Sequence, residues 1–269
     1  MRWLLALCAA WLVSAAALAG QQDSDPFTRV ARAYLVEIDG NLLWHKHADH
    51  KMAPASLTKM MTALLAAETL GADSVVEVDA AAARETGSTL GLRRGERWTS
   101  KDLLAATLMA SANDACRALA DQVGADQTGF VLRMNRRARH MGLRNTHFGN
   151  ACGHDAPDHY SSAADLRVIA HALMQNPLLA ELVAQPQAQI SSVKGERNYI
   201  FGNKNALIGR YEGALGIKTG TTPKAGKCLV VQARRGSHMV LLVLLAGKDR
   251  WWDATDILDI AFARANAPR

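Results

Sequence analysis

Apolar positions along the 269-residue chain change their period twice. Over residues 31–45, ARAYLVEIDGNLLWH, two apolar runs flank Asp39-Gly40, a dipeptide suited to the positive φ values of a tight hairpin. The pattern there predicts two antiparallel strands. From that point to about residue 185, apolar residues recur three and four apart, the spacing of a buried helix face. The segment 56–70 stops at Gly71, and 99–109 opens with Thr99 as N-cap and Asp102 three positions on. Segments 114–123 and 127–141 stop at Gly124 and Gly142, and 162–175 stops ahead of Pro177. Strand character returns in 214–219, 227–233 and 238–246, with 234–237 as the turn between the last two, before a helical pattern from Trp252 to Ala265. Two strands, a helical block, three strands and a terminal helix predict an α/β fold of the α+β kind. Its antiparallel sheet is assembled from both ends of the chain with helices packed on it, and it is not doubly wound.

The first residues stand apart from this pattern. Arg2 precedes an apolar run over 3–16, and Ala17-Leu18-Ala19 has the small-x-small form of a cleavage site, so residues 1–19 read as a secretory leader. The run is short for a membrane span of about 20 residues, and Cys8 sits too early in it for lipidation, so no stable membrane anchor is expected. No Gly/Ser/Pro-rich linker or repeat divides 20–269, which is expected to form a single domain.

Removing the leader removes Arg2 and takes the formal charge from +6 to +5. That balance suits the neighbourhood of anionic cell-wall polymers but is also that of an ordinary soluble surface. Arg133, Arg136, Arg137 and Arg139 read as one solvated helix face, and nucleic acid is not expected as a partner of an exported protein. Three cysteines remain, Cys116, Cys152 and Cys228, which allow at most one internal bridge. Export permits a disulfide, but no spacing demands one, and all three are expected to be reduced and partly buried.

Chemistry enters at ASLTKMM, residues 55–61. In a helix, positions i and i+3 share a face with Cβ atoms about 5–6 Å apart, so the Ser56 hydroxyl and the Lys59 amine would be neighbours. A serine beside a lysine held among apolar residues has the makings of a nucleophile and its base. S-x-x-K alone recurs by chance; two further motifs change its weight. Ser111-Ala112-Asn113 interrupts the helical pattern between LLAATLMA and DACRALADQVG, placing both side chains on a loop. Lys218-Thr219-Gly220-Thr221 closes a strand, where a lysine could hold a carboxylate and a glycine lets a substrate backbone lie close.

S-x-x-K, S-x-N and K-T-G, in that order, resemble the motifs of the low-molecular-mass penicillin-binding proteins, the serine D-alanyl-D-alanine carboxypeptidases and related endopeptidases. The segments PASLTKMMTALLA, LMASANDACRALA, FVLRMNRRARHMGLRNTHFGN, HYSSAADL and GIKTGTTPKAGKCLV are also similar to family segments in order and spacing. The resemblance implies a five-stranded antiparallel sheet flanked by helices, as in class A β-lactamases, with the site between sheet and helical region. It implies an acyl-enzyme on Ser56, Lys59 as base, Ser111 as proton relay and Asn113 as partner of Lys59 and the substrate amide. Lys218, Thr219 and Thr221 would bind the substrate carboxylate beside Gly220, and the amides of Ser56 and Thr221 would form the oxyanion hole. Peptidoglycan peptides would be substrates, β-lactams inhibitors, and no cofactor or metal is called for. Periplasmic or cell-wall-associated placement follows from the leader. Two departures stand out: His154 occupies a place usually apolar in the family, and only 49 residues follow Gly220, so the family's second β-rich domain and amphipathic anchor are not expected.

Three rivals are weaker. A class A β-lactamase would carry Glu-x-x-x-Asn before K-T-G, and no Glu between Asn113 and Lys218 has Asn four residues on. A metal hydrolase resting on His45, His47 and His50 lacks a helical H-E-x-x-H. A non-catalytic cell-wall binding protein would have no use for the nucleophile and its base together.

Overall fold

The computed structural model describes residues 25–266, so the predicted leader lies outside the described residues. Strands β1 (Ala31–Ile38) and β2 (Asn41–Lys46) form the opening hairpin, turning through Asp39 at φ 50° and Gly40 at φ 81°. A 3-10 turn (Ala55–Thr58) leads into α1 (Lys59–Thr69). β3 (Val75–Glu77) and β4 (Arg97–Thr99) pair as a small ribbon, followed by α2 (Ser100–Leu108), α3 (Asn113–Gly124) and α4 (Gln127–His140). Then come α5 (Ala163–Gln175), α6 (Pro177–Ala184) and a second ribbon of β5 (Gln187–Ser191) and β6 (Asn198–Gly202). β7 (Ala214–Thr222), β8 (Gly226–Arg235), β9 (His238–Gly247) and α7 (Arg250–Ala265) close the fold.

The main sheet has five strands in the order β2-β1-β9-β8-β7, all antiparallel. The expectation of a sheet drawn from both chain ends is met: β1 pairs with β9, Tyr34 opposite Leu244 and Val36 opposite Leu242. Alternate residues of β9 feed two cores. Leu241, Val243 and Leu245 join α1, α2, α3 and α5 on one face, while Val240, Leu242 and Leu244 pack with Ile257, Leu258 and Phe262 of α7 on the other. Burial on both faces explains why MVLLVLLA runs without polar alternation although the sheet is antiparallel.

Helix caps follow the sequence signals. Thr99 Oγ1 accepts from the Asp102 amide at 3.1 Å, and Ser162 Oγ from the Asp165 amide at 3.2 Å. Pro177 begins a helix rather than only ending one, since its fixed φ suits the first helical position and Asn176 caps it. The two ribbons were not expected, because strands of three to five residues carry too few positions for a period to show.

The cysteine expectation is corrected. Cys116 and Cys152 form a disulfide with Cα atoms 6.0 Å apart, and among the described residues only Cys228 is free; all three are fully buried. A separation of 36 residues carries no local signal, and tertiary packing alone brings the pair together.

Candidate active site

The site lies where β7, the edge strand, faces the turn preceding α1. Ala55 takes a positive φ of 49°, which bends the chain so that Ser56 comes to the surface of the cleft while Leu57 and Thr58 turn inward. Two glycines allow this turn to sit where it does. A Cβ on Gly153 (φ +89°) would lie 2.0 Å from the Ala55 carbonyl oxygen, and one on Gly220 would lie 3.0 Å from the Ser56 nitrogen. His159 braces the turn from beneath. Its Nδ1 accepts from the Gly149 amide at 2.9 Å, so Nε2 carries the proton and donates to Thr58 Oγ1 at 2.7 Å, which donates to the Ala55 carbonyl at 2.8 Å. Burial holds this imidazole neutral, with its pKa lowered to about 4.

Lys59 begins α1 and is completely buried. Its Nζ lies 3.1 Å from Ser56 Oγ, 2.7 Å from Asn113 Oδ1 and 2.5 Å from the Cys152 carbonyl oxygen. Burial lowers its pKa from 10.5 to about 7, against the pull of Glu85 and Asp114 and with help from Lys204. An amine poised near neutrality beside a hydroxyl can accept that hydroxyl's proton. Lys204, on the loop before β7, is the cation acting on Lys59, and the repulsion between the two buried lysines acts on Lys218.

S-x-N occupies the corner between α2 and α3. Ser111 has φ 57° and is nearly buried, and Asn113 opens α3. The Asn113 side chain donates to the Thr86 carbonyl at 2.5 Å while holding Lys59, and its amide donates to Ser88 at 2.6 Å. The next residue, Asp114, accepts from the amides of Leu90, Gly91 and Leu92, so the segment around 86–92 is fastened along this wall.

K-T-G lies on β7. Lys218 is buried, donates to the Thr219 carbonyl at 3.0 Å, and its pKa is pushed well below the usual value by burial, then by Lys59, Lys204 and Arg250. Arg250, at the start of α7, donates to the Gly220 carbonyl and Thr221 Oγ1, both at 2.9 Å, and to the Cys228 carbonyl at 3.2 Å. A guanidinium beside an exposed threonine at a strand end is equipped to meet a carboxylate. No motif surrounds Arg250 in the sequence, and the sequence analysis missed it.

The loop 150–158 forms the floor and far lip. Asn150 Oδ1 gathers the amides of Cys152, Gly153 and His154, and Asp155 accepts from Thr222 Oγ1 at 2.7 Å and the Lys224 amide at 3.1 Å. His154 Nε2 meets Glu85 Oε2 at 2.9 Å, and Arg117 lies 3.4 Å from the other oxygen. Burial works to raise the Glu85 carboxyl, but the hydrogen bond and charge of His154, with Arg117, hold it below the usual range. Of the residues expected from the motifs, Lys59 is hydrogen-bonded to Ser56 and Asn113, Gly220 lies against the Ser56 nitrogen and Lys218 is near enough to be repelled by Lys59; Ser111, Thr219 and Thr221 lie on the same segments. The rival histidines lie elsewhere: His47 and His50 stack at 4.5 Å, and no metal-binding group of three or more ligands occurs among the described residues.

A family model described as D-alanyl-D-alanine carboxypeptidase matches residues 21–249. The chain is 33% identical over 254 residues to the D-alanyl-D-alanine carboxypeptidase DacF of Bacillus subtilis, covering 91% of this chain and 65% of that protein. It is 31% identical over 286 residues to the D-alanyl-D-alanine carboxypeptidase of Streptomyces sp. strain K15, covering 95% and 98%. Among solved structures, a D-alanyl-D-alanine carboxypeptidase from Mycobacterium tuberculosis superposes with TM-score 0.83 at 31% identity, over 90% of this chain and 94% of that one. The Streptomyces K15 DD-transpeptidase gives TM-score 0.81 at 32% identity, over 87% and 97%. The match runs through the sheet, the helical region and all three motifs alike, and the chain belongs to the D-alanyl-D-alanine carboxypeptidase family of serine peptidases.

Proposed function

We propose that this chain hydrolyses the D-Ala-D-Ala bond of peptidoglycan stem peptides through an acyl-enzyme on Ser56. The observation that carries the reading is the 3.1 Å approach of Ser56 Oγ to a fully buried lysine whose pKa is lowered to about 7. Neutral Lys59 takes the Ser56 proton as Oγ attacks the carbonyl of the penultimate D-Ala. The closeness of Gly220 to the Ser56 nitrogen supports a shared oxyanion hole of the Ser56 and Thr221 amides, aimed at charge that develops only on attack. Ser111 passes the proton from Lys59 to the departing amine, the C–N bond breaks, and D-Ala leaves. Water then attacks the ester, returning its proton through Lys59 and freeing Ser56. Lys218, Thr219 and Thr221, with Arg250 behind them, bind the terminal carboxylate. Neither a metal nor a cofactor enters any step.

β-Lactams acylate Ser56 in the same way, since they present a carbonyl beside a carboxylate. The leader-like residues 1–19 support export to the periplasm or the cell wall, and no described helix is long and apolar enough to cross a membrane. The test is mass spectrometry of peptidoglycan fragments after incubation with the purified chain, beside Ser56→Ala. Loss of one alanine from pentapeptides, absent with the variant, is expected. Conversion of cross-linked dimers to monomers would make the chain a D-Ala-diaminoacyl endopeptidase instead. No Ser56-dependent change, together with no labelling by a β-lactam, would reduce it to a cell-wall binding protein on this fold.

A further inference from the structure

Two of the three hydrogen-bond partners of Lys59 are carried by segments that the disulfide joins. Asn113 sits one helical turn before Cys116 on α3, and Cys152 itself supplies the carbonyl. The Cys152 sulfur lies 3.7 Å from the Asn113 backbone carbonyl oxygen, so the bridge passes against the backbone of the residue whose side chain holds Lys59. Thr62 ties the loop to α1 through the Ala151 carbonyl at 2.6 Å, and Asn150 shapes it from within. Neither contact fixes the loop to α3; His154 reaches that helix two residues on, through Glu85 and Arg117, and the bridge is the covalent tie at the residue that faces Lys59.

We propose that Cys116 and Cys152, as a disulfide, are positioning residues for the reaction: the bridge holds the Cys152 carbonyl at the Lys59 amine and so keeps that amine aimed at Ser56 Oγ. This rests on the catalytic reading above and extends it. Lys59 is anchored by two acceptors on one side and presents its remaining face to the serine. Freed from α3, the Cys152 carbonyl can withdraw, the amine turns away from Oγ, and water enters the space. Water also raises the proton affinity of the amine, by undoing the burial that lowered it. Carboxylate recognition, on β7 and Arg250 across the cleft, is untouched. Opening the bridge with a dithiol moves two electrons and two protons: the Sγ–Sγ bond breaks, two thiols form and the reductant becomes a disulfide.

The experiment compares the oxidised wild type with Cys116→Ala/Cys152→Ala, measuring acylation by a fluorescent penicillin across pH and resolving the limiting rate from the dissociation constant of the preceding complex. The limiting rate is expected to fall about 10- to 100-fold, as a misplaced base would give. Its rise with pH is expected to move above about 7, with the dissociation constant unchanged. A folded double variant with the wild-type rate and pH profile overturns the proposal. Non-reducing peptide mapping of the wild type needs no variant: a linked Cys116–Cys152 peptide is expected, and alkylated free thiols at both positions in fully reactive protein overturn it. A folded, oxidised wild type that the penicillin never labels would instead overturn the catalytic reading, and with it this one.

Discussion

Gly220 presses the edge strand against Ser56: a Cβ there would stand 3.0 Å from both the Ser56 nitrogen and the Ala55 Cβ. Those neighbours are backbone and a fixed methyl, so the strand must retreat for a side chain to fit. Gly220→Ala is expected to destabilise the fold by about 1–3 kcal/mol. Because the shift falls between Ser56 and Thr221, β-lactam acylation should slow by about 10-fold or more. Unchanged acylation kinetics would show that the cleft tolerates a wider gap.

Lys59 makes activity and stability respond to pH in the same direction. The acylation rate constant should rise with pH through about 7, as the free amine appears. For stability, the folded pKa is depressed below the unfolded value of 10.5, so the unfolded chain binds more protons between these limits. The folded state therefore strengthens as pH climbs from about 7 toward 10.5, and the cost of burying this amine is fully present below 7. Lysine 218 is shifted the same way and adds to the slope. Denaturant unfolding at several pH values checks this, with Lys59→Met expected to flatten the curve and abolish acylation.

His159 predicts acid sensitivity. Its folded pKa of about 4 lies below the unfolded 6.5, so stability is intact above about 6.5 and is lost as pH falls toward 4. The loss should reach about 3 kcal/mol. His159→Phe should remove this component from the unfolding curve while slowing acylation, since Thr58 then loses the donor that steadies the Ala55 turn.

Arg250 touches two carbonyls and the Thr221 hydroxyl through one nitrogen. Arg250→Ala removes the charge and all three hydrogen bonds, so kcat/KM for a D-Ala-D-Ala peptide should drop by about 10- to 100-fold. Steady-state kinetics with the carboxylate and with its amide distinguish the roles: a drop confined to the carboxylate substrate marks recognition, and an equal drop marks bracing of β7.

The bridge closes a loop between positions 36 apart, which on a chain-entropy argument contributes about 4 kcal/mol. Thermal unfolding of Cys116→Ala/Cys152→Ala should show a lowered midpoint, separately from any effect on acylation.

Local chemistry determined much of this protein. Asp39-Gly40 sets the hairpin, Thr99 caps its helix where the spacing says it should, and S-x-x-K, S-x-N and K-T-G name Ser56, Lys59, Asn113 and Gly220, which lie together. These features rest on turn conformations, caps and neighbours within one helical turn, which short stretches of chain encode. Tertiary structure decided the rest. The disulfide, the Cys152 carbonyl at Lys59, Arg250 at Thr221 and the His159 brace join residues between 29 and 101 positions apart, and no period or motif records such pairs. The pairing of Ser56 with Lys59 was legible, but the lysine's lowered proton affinity was not. Ser56 and Lys59 can be found from spacing, whereas a lysine becomes neutral near pH 7 only when packing from distant parts of the chain excludes water from it.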